Sequence, residues 1–177
     1  MEGDFLRYCS LCGKKLTAKP AHSGRLVPYC ENCKRFFFPP FSCAVITALL
    51  SPDLNQTLLL RQYGSPHPAL LSGYVDKGES AEEALLREVQ EESGLVVKEY
   101  RYFGSSYFSP SNTLMLSYLS VADSTKISPA PGEVDFAGWF PLAQARELVW
   151  RHTLAESVLL PMLDSLESYR RSLSARQ

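Results

Sequence analysis

Residues 73–95 read GYVDKGESAEEALLREVQEESGL, and the spacing of charge within this stretch decides how the chain is read. Ser80 and Glu83 stand as S-x-x-E, a capping box, which predicts a helix starting near Ala81. Gly94 predicts its stop, because glycine tolerates the left-handed backbone that closes a helix. On that helix Glu88, Glu91 and Glu92 are spaced i, i+3, i+4, so their carboxylates share one face. Leu85, Leu86 and Val89 form a neighbouring stripe expected to face the core. Three carboxylates on one face repel unless cations sit among them, and hard oxygen ligands suit Mg²⁺ or Mn²⁺. The competing reading is an ordinary acidic, solvated helix face.

Gly73, Glu79, Arg87, Glu88, Val89, Glu91, Glu92, Gly94 and Leu95 fill every specified position of G-x5-E-x7-R-E-U-x-E-E-x-G-U, where U is bulky and apolar. The stretch resembles the Nudix box. The resemblance implies an α/β fold, an α/β/α sandwich, and metal-dependent hydrolysis of a nucleoside diphosphate linked to another group. It assigns Glu88, Glu91 and Glu92 to catalysis and to a Mg²⁺ or Mn²⁺ site, with the Ser72 carbonyl as a backbone ligand. Glu79 and Arg87 become structural braces of the loop between Gly73 and the helix. Divalent ions would neutralise the diphosphate and acidify a bound water, and a nearby carboxylate would accept its proton. Which glutamate is the base varies within the family.

The chain of 177 residues, 45% of them hydrophobic, is long enough for one ordinary domain with a small extra module. A net charge of −1 argues against a general nucleic-acid coat or a membrane-surface role. Within residues 1–38, seven cations oppose three carboxylates, so the N-terminal segment is basic and the remainder acidic. The start lacks a signal-peptide core and no long apolar run follows, so a cytoplasmic protein without a membrane partner is expected. Cys9-x2-Cys12 and Cys30-x2-Cys33 are separated by 17 residues, a spacing that predicts four thiolates on one Zn²⁺. A disulfide framework is the competing reading and fits a reducing compartment poorly.

Residues 1–38 therefore read as a small zinc ribbon of short strands, structural or nucleic-acid binding, and residues 39–177 as the hydrolase domain, joined at Pro39-Pro40. Strands are expected over 42–50, 57–61, 96–105 and 114–122, with a short one ending at 138–141. The segment 106–113 reads as a loop, as does 128–133, and His67 as an exposed loop residue. Helices are expected over 142–148 and from about 154 to 173, the latter carrying Pro161 and burying Leu159, Leu163 and Leu166.

A four-cysteine ribbon directly before a Nudix domain is similar to the NADH pyrophosphatases. By that resemblance Phe38, the aromatic before Pro39, contacts substrate. Glu133, in a segment similar to E-x3-A-x-W-aromatic, completes the metal site, and Ala155 lines the nucleotide pocket. Where that family carries S-Q-P-W-P-F-P-x-S, this chain reads SSYFSPSNT from Ser105 to Thr113. Ser105 is kept, Phe108 stands for the tryptophan and Thr113 for the final serine, while the glutamine and two prolines are lost. Phe108 can still stack on a flat ring; ordinary loop packing is its alternative. The resemblance implies a homodimer that splits NADH or NAD⁺ into AMP and a nicotinamide mononucleotide. NAD-capped RNA presents the same bond. The alternatives are hydrolysis of ADP-ribose, FAD or another nucleoside diphosphate derivative, and a nucleotide-sensing or nucleic-acid-binding regulator.

Overall fold

In the computed structural model, which describes residues 7–129, 132 and 134–166, the chain falls into two units, Met1–Phe41 and Ser42–Gln177. The first holds three short strands, β1 (Thr17–Pro20), β2 (Leu26–Cys30) and β3 (Arg35–Phe36), in an antiparallel sheet ordered β1-β2-β3. Its buried apolar side chains are few: Cys9, Val27, Pro28, Tyr29 and Cys30 among the described residues. Tyr29 meets the Phe36 ring edge-on at 4.9 Å, and the Lys19 ammonium lies 4.2 Å from its centroid. So small a core cannot offset chain entropy alone, which leaves the cysteines to supply the rest.

The second unit is built on β4 (Ser42–Leu50), whose seven residues from Ala44 onward are all buried. The remaining elements are β5 (Gln56–Gln62), β6 (Leu71–Tyr74), α1 (Ala81–Ser93), β7 (Val97–Phe108), β8 (Thr113–Ala122), β9 (Val134–Pro141), α2 (Leu142–Leu148) and α3 (Leu154–Asp164). The sheet runs β7-β8-β4-β5-β9, with β6 also paired to β4; β4 and β8 are parallel and the other pairings antiparallel. Side chains alternate across a strand. Ala44, Ile46, Ala48 and Leu50 therefore join one core cluster with Val158, Leu159, Met162 and Leu163 of α3. Val45 and Leu49 point the other way, into a cluster with Ala84, Leu85 and Val89 of α1. Helices on both faces make this an α/β/α sandwich, and a strand buried on both faces has to be apolar throughout.

The N-terminus of α1 forms as its sequence predicts. The Ser80 hydroxyl accepts the Glu83 N–H at 3.2 Å, and the Glu83 carboxylate accepts the Ser80 N–H at 2.7 Å. Gly94 closes the helix at φ 70°, and a Cβ there would lie 2.2 Å from the Ser128 carbonyl oxygen. Leu86, expected in the core, is instead 40% exposed, and Ala84 is buried in its stead. The buried stripe is Ala84, Leu85 and Val89, and Leu86 falls one helical step off it.

The expected loop over 106–113 is also corrected. β7 continues through Phe108, reverses over a single 3-10 turn at Ser109–Ser111, and Thr113 already begins β8. Asn112 makes the reversal at φ 52°, a conformation asparagine tolerates, and its Oδ1 accepts the Tyr107 hydroxyl at 2.5 Å. Pro110 serves the turn rather than ending a strand early. Pro161 lies within α3, and the part of that helix expected beyond residue 166 lies outside the described residues. No helix among the described residues is long and apolar enough to cross a membrane.

The cap gives a direct check. Ser80→Ala should lower stability by about 1 kcal/mol, read as a reduced urea midpoint with unchanged slope. An unchanged midpoint would show that Glu83 alone holds the helix start.

Candidate functional site

Arg87 organises the site. Its Nη2 donates to Glu79 Oε1 at 2.7 Å and to the Tyr74 carbonyl at 2.9 Å, while Nε reaches Glu79 Oε2 at 3.2 Å. Its Nη1 donates to Glu88 Oε1 at 2.7 Å and Glu91 Oε2 at 3.1 Å. One guanidinium thus fastens the end of β6, the loop behind it and two α1 carboxylates. Glu79 also accepts the Asp76 N–H at 2.7 Å. Arg87 first, and that N–H second, hold the Glu79 carboxyl below its ordinary range. Hydrogen bonding to Glu79 in turn raises Arg87 above its already high value.

Gly73 lies where β6 passes α1. A Cβ there would sit 1.9 Å from Glu88 Cδ, so only glycine lets that carboxylate lie against the strand backbone. Glu92 is 4% exposed, and its Oε1 accepts a hydrogen bond from the Gln62 side chain. Gln62 follows a register shift between Arg61 and Gln62 in the β5–β9 pairing, a bulge of the kind that re-aims a side chain.

A cavity of about 530 Å³ opens here, lined on one side by Ser72, Gly73, Arg87, Glu88, Glu91 and Glu92. Phe108, Ser111, Thr113, Met115 and Leu154 complete an apolar and hydroxylated wall, and Tyr63, Tyr74 and Asp76 lie at other points of the lining. This volume suits a small molecule rather than a macromolecular surface. The donors are carboxylate and carbonyl oxygens, a set that fits a hard divalent cation. In this structure those carboxylates face Arg87 and Gln62 and are not gathered about one point.

Of the residues expected at the site, Ser72, Gly73, Arg87, Glu88, Glu91, Glu92, Phe108 and Thr113 line one cavity. Glu79 acts one step behind it through Arg87. Ser105 lies exposed on β7, and Ala155 packs into the core while its neighbour Leu154 reaches the cavity. Phe38 belongs to the N-terminal unit, where its ring is exposed. Glu133 lies outside the described residues. His67 is not the exposed residue expected: it is half-buried and stacks on Trp150, centroids 4.0 Å apart and planes 15° from parallel. Gln62, Tyr63 and Ser111 were not legible as cavity residues, because bulge and turn positions obey no sequence period.

In the N-terminal unit the sulfurs of Cys9, Cys12, Cys30 and Cys33 all lie within 4.8 Å of one another. Cys9 and Cys33 are 3.8 Å apart, and Cys12 and Cys30 3.6 Å. A tetrahedral ion with bonds of about 2.3 Å separates its sulfurs by roughly 3.8 Å, so the four thiols fit one metal. The two knuckles are alike: Gly13 N–H donates to the Cys9 carbonyl and Lys34 N–H to that of Cys30, both at positive φ (71° and 54°). The Cys12 sulfur, ahead of burial and the other two cysteines, pushes the Cys33 thiol up to about 12. Ionising it among three further sulfurs is unfavourable without a cation.

Residues 41–163 match the NUDIX domain model. The chain is 33% identical over 158 residues to the NAD-capped RNA hydrolase ndx-9 of Caenorhabditis elegans, covering 86% of this chain and 41% of that one. It is 33% identical over 141 residues to the NAD-capped RNA hydrolase NudC of Chromobacterium violaceum, covering 77% and 50%. The NudC of Vibrio cholerae is 27% identical over 157 residues, covering 87% and 56%. The chain thus spans about half the length of the curated relatives it matches. Among solved structures, a NUDIX hydrolase of Nitrosomonas europaea superposes with a TM-score of 0.66 at 16% identity, covering 90% of this chain and 92% of that one. The NUDIX domain of Shewanella oneidensis NrtR, solved with ADP ribose, gives 0.58 at 20% identity, covering 82% and 94%. These two likenesses show the fold.

The brace and the thiol cluster each yield a test. The Glu79 carboxyl titrates lower in the folded chain, so the Arg87–Glu79 pair contributes stability that is fully present above the ordinary value, about 4.3. That contribution is lost as pH falls through the depressed value. Glu79→Gln should be less stable than wild type at neutral pH, and the difference should shrink below pH 4 in urea melts; a pH-independent difference would refute the pairing. For the ribbon, elemental analysis should find one metal ion in wild type and none in Cys30→Ser. Undiminished metal content would remove Cys30 from the cluster.

Proposed function

This chain belongs to the NUDIX domain family, and from that premise we propose that it hydrolyses the diphosphate bond of NADH or NAD⁺, yielding AMP and a nicotinamide mononucleotide. The observation that carries the reading is one cavity in which Ser72, Glu88, Glu91 and Glu92 face Phe108 and Thr113. Charge-binding oxygens thus share a small-molecule volume with a flat ring. The three relatives named above are NAD-capped RNA hydrolases, which supports a substrate with the same bond.

In this reading the Ser72 carbonyl and Glu88, Glu91 and Glu92, with Glu133, would hold Mg²⁺ or Mn²⁺. Such ions, when bound, would neutralise the diphosphate and lower the pKa of a bound water. The chain's own groups do the rest. Arg87 holds Glu88 and Glu91 in position from behind. Gln62 orients Glu92, whose burial removes competing water. One α1 carboxylate accepts the proton as water adds to phosphorus and the bridging P–O bond breaks. The Phe108 ring, half-buried against the core, is preorganised to stack on one base of the substrate, beside the Thr113 hydroxyl. Phe38, Ser105 and Ala155, expected as substrate contacts, are not among the residues that line this cavity. The four cysteines hold structural Zn²⁺, and the protein acts as a cytoplasmic homodimer.

A second substrate is favoured by one feature. The turn after Phe108 keeps one proline, Pro110, and closes through Asn112 and the Ser111–Thr113 hydroxyl pair at 2.8 Å. A differently shaped wall at that point would admit ADP-ribose or another nucleoside diphosphate derivative.

Purified protein incubated with NADH and Mg²⁺ or Mn²⁺ should release AMP and reduced nicotinamide mononucleotide faster than it releases AMP from ADP-ribose. Chromatography of the products reads the outcome, and NADH left intact beside hydrolysed ADP-ribose would refute the substrate. Glu92→Gln keeps an acceptor for Gln62 but removes the charge. Loss of even an outer-shell partner costs 10–100-fold, so turnover should fall by at least about a hundredfold with little change in stability. Retained turnover would take Glu92 out of the metal site.

A further inference from the structure

We propose that Tyr63 is a substrate-binding residue, its ring stacking on a heterocycle of the substrate beside the diphosphate. The assignment rests on the reading of the cavity as a nucleoside-diphosphate site. Tyr63 lines that cavity together with Glu88 and Glu92. At 80% exposure it is the most exposed large hydrophobic side chain among the described residues. A ring so placed contributes little to the core, so folding does not account for it.

The backbone points the same way. Tyr63 sits at φ 53°, and Gly64 follows at φ 70°. A bulky residue in the left-handed region is a genuine outlier, and glycine would occupy that position without strain. Such strain persists where neighbours over-determine the geometry, and it gathers at ligand clamps.

Here the neighbours do over-determine it. The Gln62 side chain, one residue earlier, donates to Glu92, so the loop is registered to a carboxylate of the site itself. One residue later the Gly64 N–H donates to Asp135 Oδ2 at 2.7 Å. The Ser65 N–H closes the turn onto the Gln62 carbonyl at 3.0 Å. His67 is pinned by its stack on Trp150, and Leu60 and Ala69 exchange both backbone hydrogen bonds across the base of the loop. All of these ties hold the residues flanking Tyr63 and none engages its ring. The loop reads as a clamp that presents an aromatic face at the rim of the cavity.

Calorimetric titration in Mg²⁺ with two ligands tests this: a NAD analogue whose bridging diphosphate oxygen is replaced by methylene, and methylenediphosphonate, which carries no ring. Tyr63→Phe should bind both as wild type does. Tyr63→Leu, which keeps bulk without a π face, and Tyr63→Gly, which relieves the backbone, should each weaken the NAD analogue about fivefold, the scale of an aromatic stack. Methylenediphosphonate should bind all four proteins alike, and thermal melts of Tyr63→Gly should show no loss of stability. Unchanged affinity for the NAD analogue would overturn the assignment, as would equal weakening of both ligands, or no binding of the analogue by wild type. The hydrolase reading fails separately. If wild type binds the analogue but leaves NADH and NAD⁺ intact, that reading falls, while selective loss in Tyr63→Leu and Tyr63→Gly still sustains the role of Tyr63.

Discussion

The Arg87 guanidinium is the joint on which the acidic site depends. Its five N–H groups form a rigid fork, and here the fork spans Glu79, Glu88, Glu91 and the Tyr74 carbonyl. Without that cation, the carboxylates of α1 and its preceding loop would repel one another and the loop would have no fixed distance from the helix. A lysine could not replace it, since a point charge cannot fork between a backbone carbonyl and three carboxylates. The same joint explains why the box tolerates no side chain at Gly73. Arg87 draws Glu88 toward the strand, and the strand must then give up its Cβ.

β4 supplies the rigid ground for this arrangement. Ala44, Ile46, Ala48 and Leu50 are buried in the core with α3, and Val45 and Leu49 in the core with α1, so shifting the strand by one residue would exchange the two cores. β6 pairs with β4 through Gly73↔Val45 and Ser72↔Ile46. The backbone at Ser72 and Gly73 is therefore placed by the deepest-buried strand of the unit, and α1 is placed by the opposite face of that same strand. The two halves of the acidic site share one reference.

The sequence makes legible whatever has a period or a fixed offset. The capping box at Ser80, the stop at Gly94, the run of carboxylates and the apolar β4 all follow from spacing, and the helix over 142–148 forms with the expected bounds. The errors arise where period gives way to local geometry. Leu86 is as apolar as Leu85 but lies off the stripe defined by Ala84 and Val89, and a small alanine carries little signal of burial. Phe108 and Thr113 read as loop because Ser109, Pro110 and Asn112 are turn residues, yet they face each other across the first pair of the β7–β8 hairpin. His67 read as exposed because its partner Trp150 is distant in sequence, and stacking leaves no trace in local pattern.

Left-handed residues mark a second boundary of legibility, and they sort by what they hold. Glycine at such a position announces itself, as Gly13 and Gly94 do. Lys34 repeats the role of Gly13 in the other knuckle without announcing it, taking the same positive φ and the same N–H bond to its knuckle's first cysteine. The two knuckles and the α1 face then resolve the same electrostatic problem with opposite chemistry. Each crowds ionisable groups that repel when charged, but four soft sulfurs select a thiophilic ion of tetrahedral habit, whereas oxygens select a hard one that keeps its waters. Among the crowded thiols, the neighbouring sulfurs push the Cys33 thiol up. In the acidic cluster Arg87 holds the Glu79 carboxyl below its ordinary range and pairs with Glu88 and Glu91 as well.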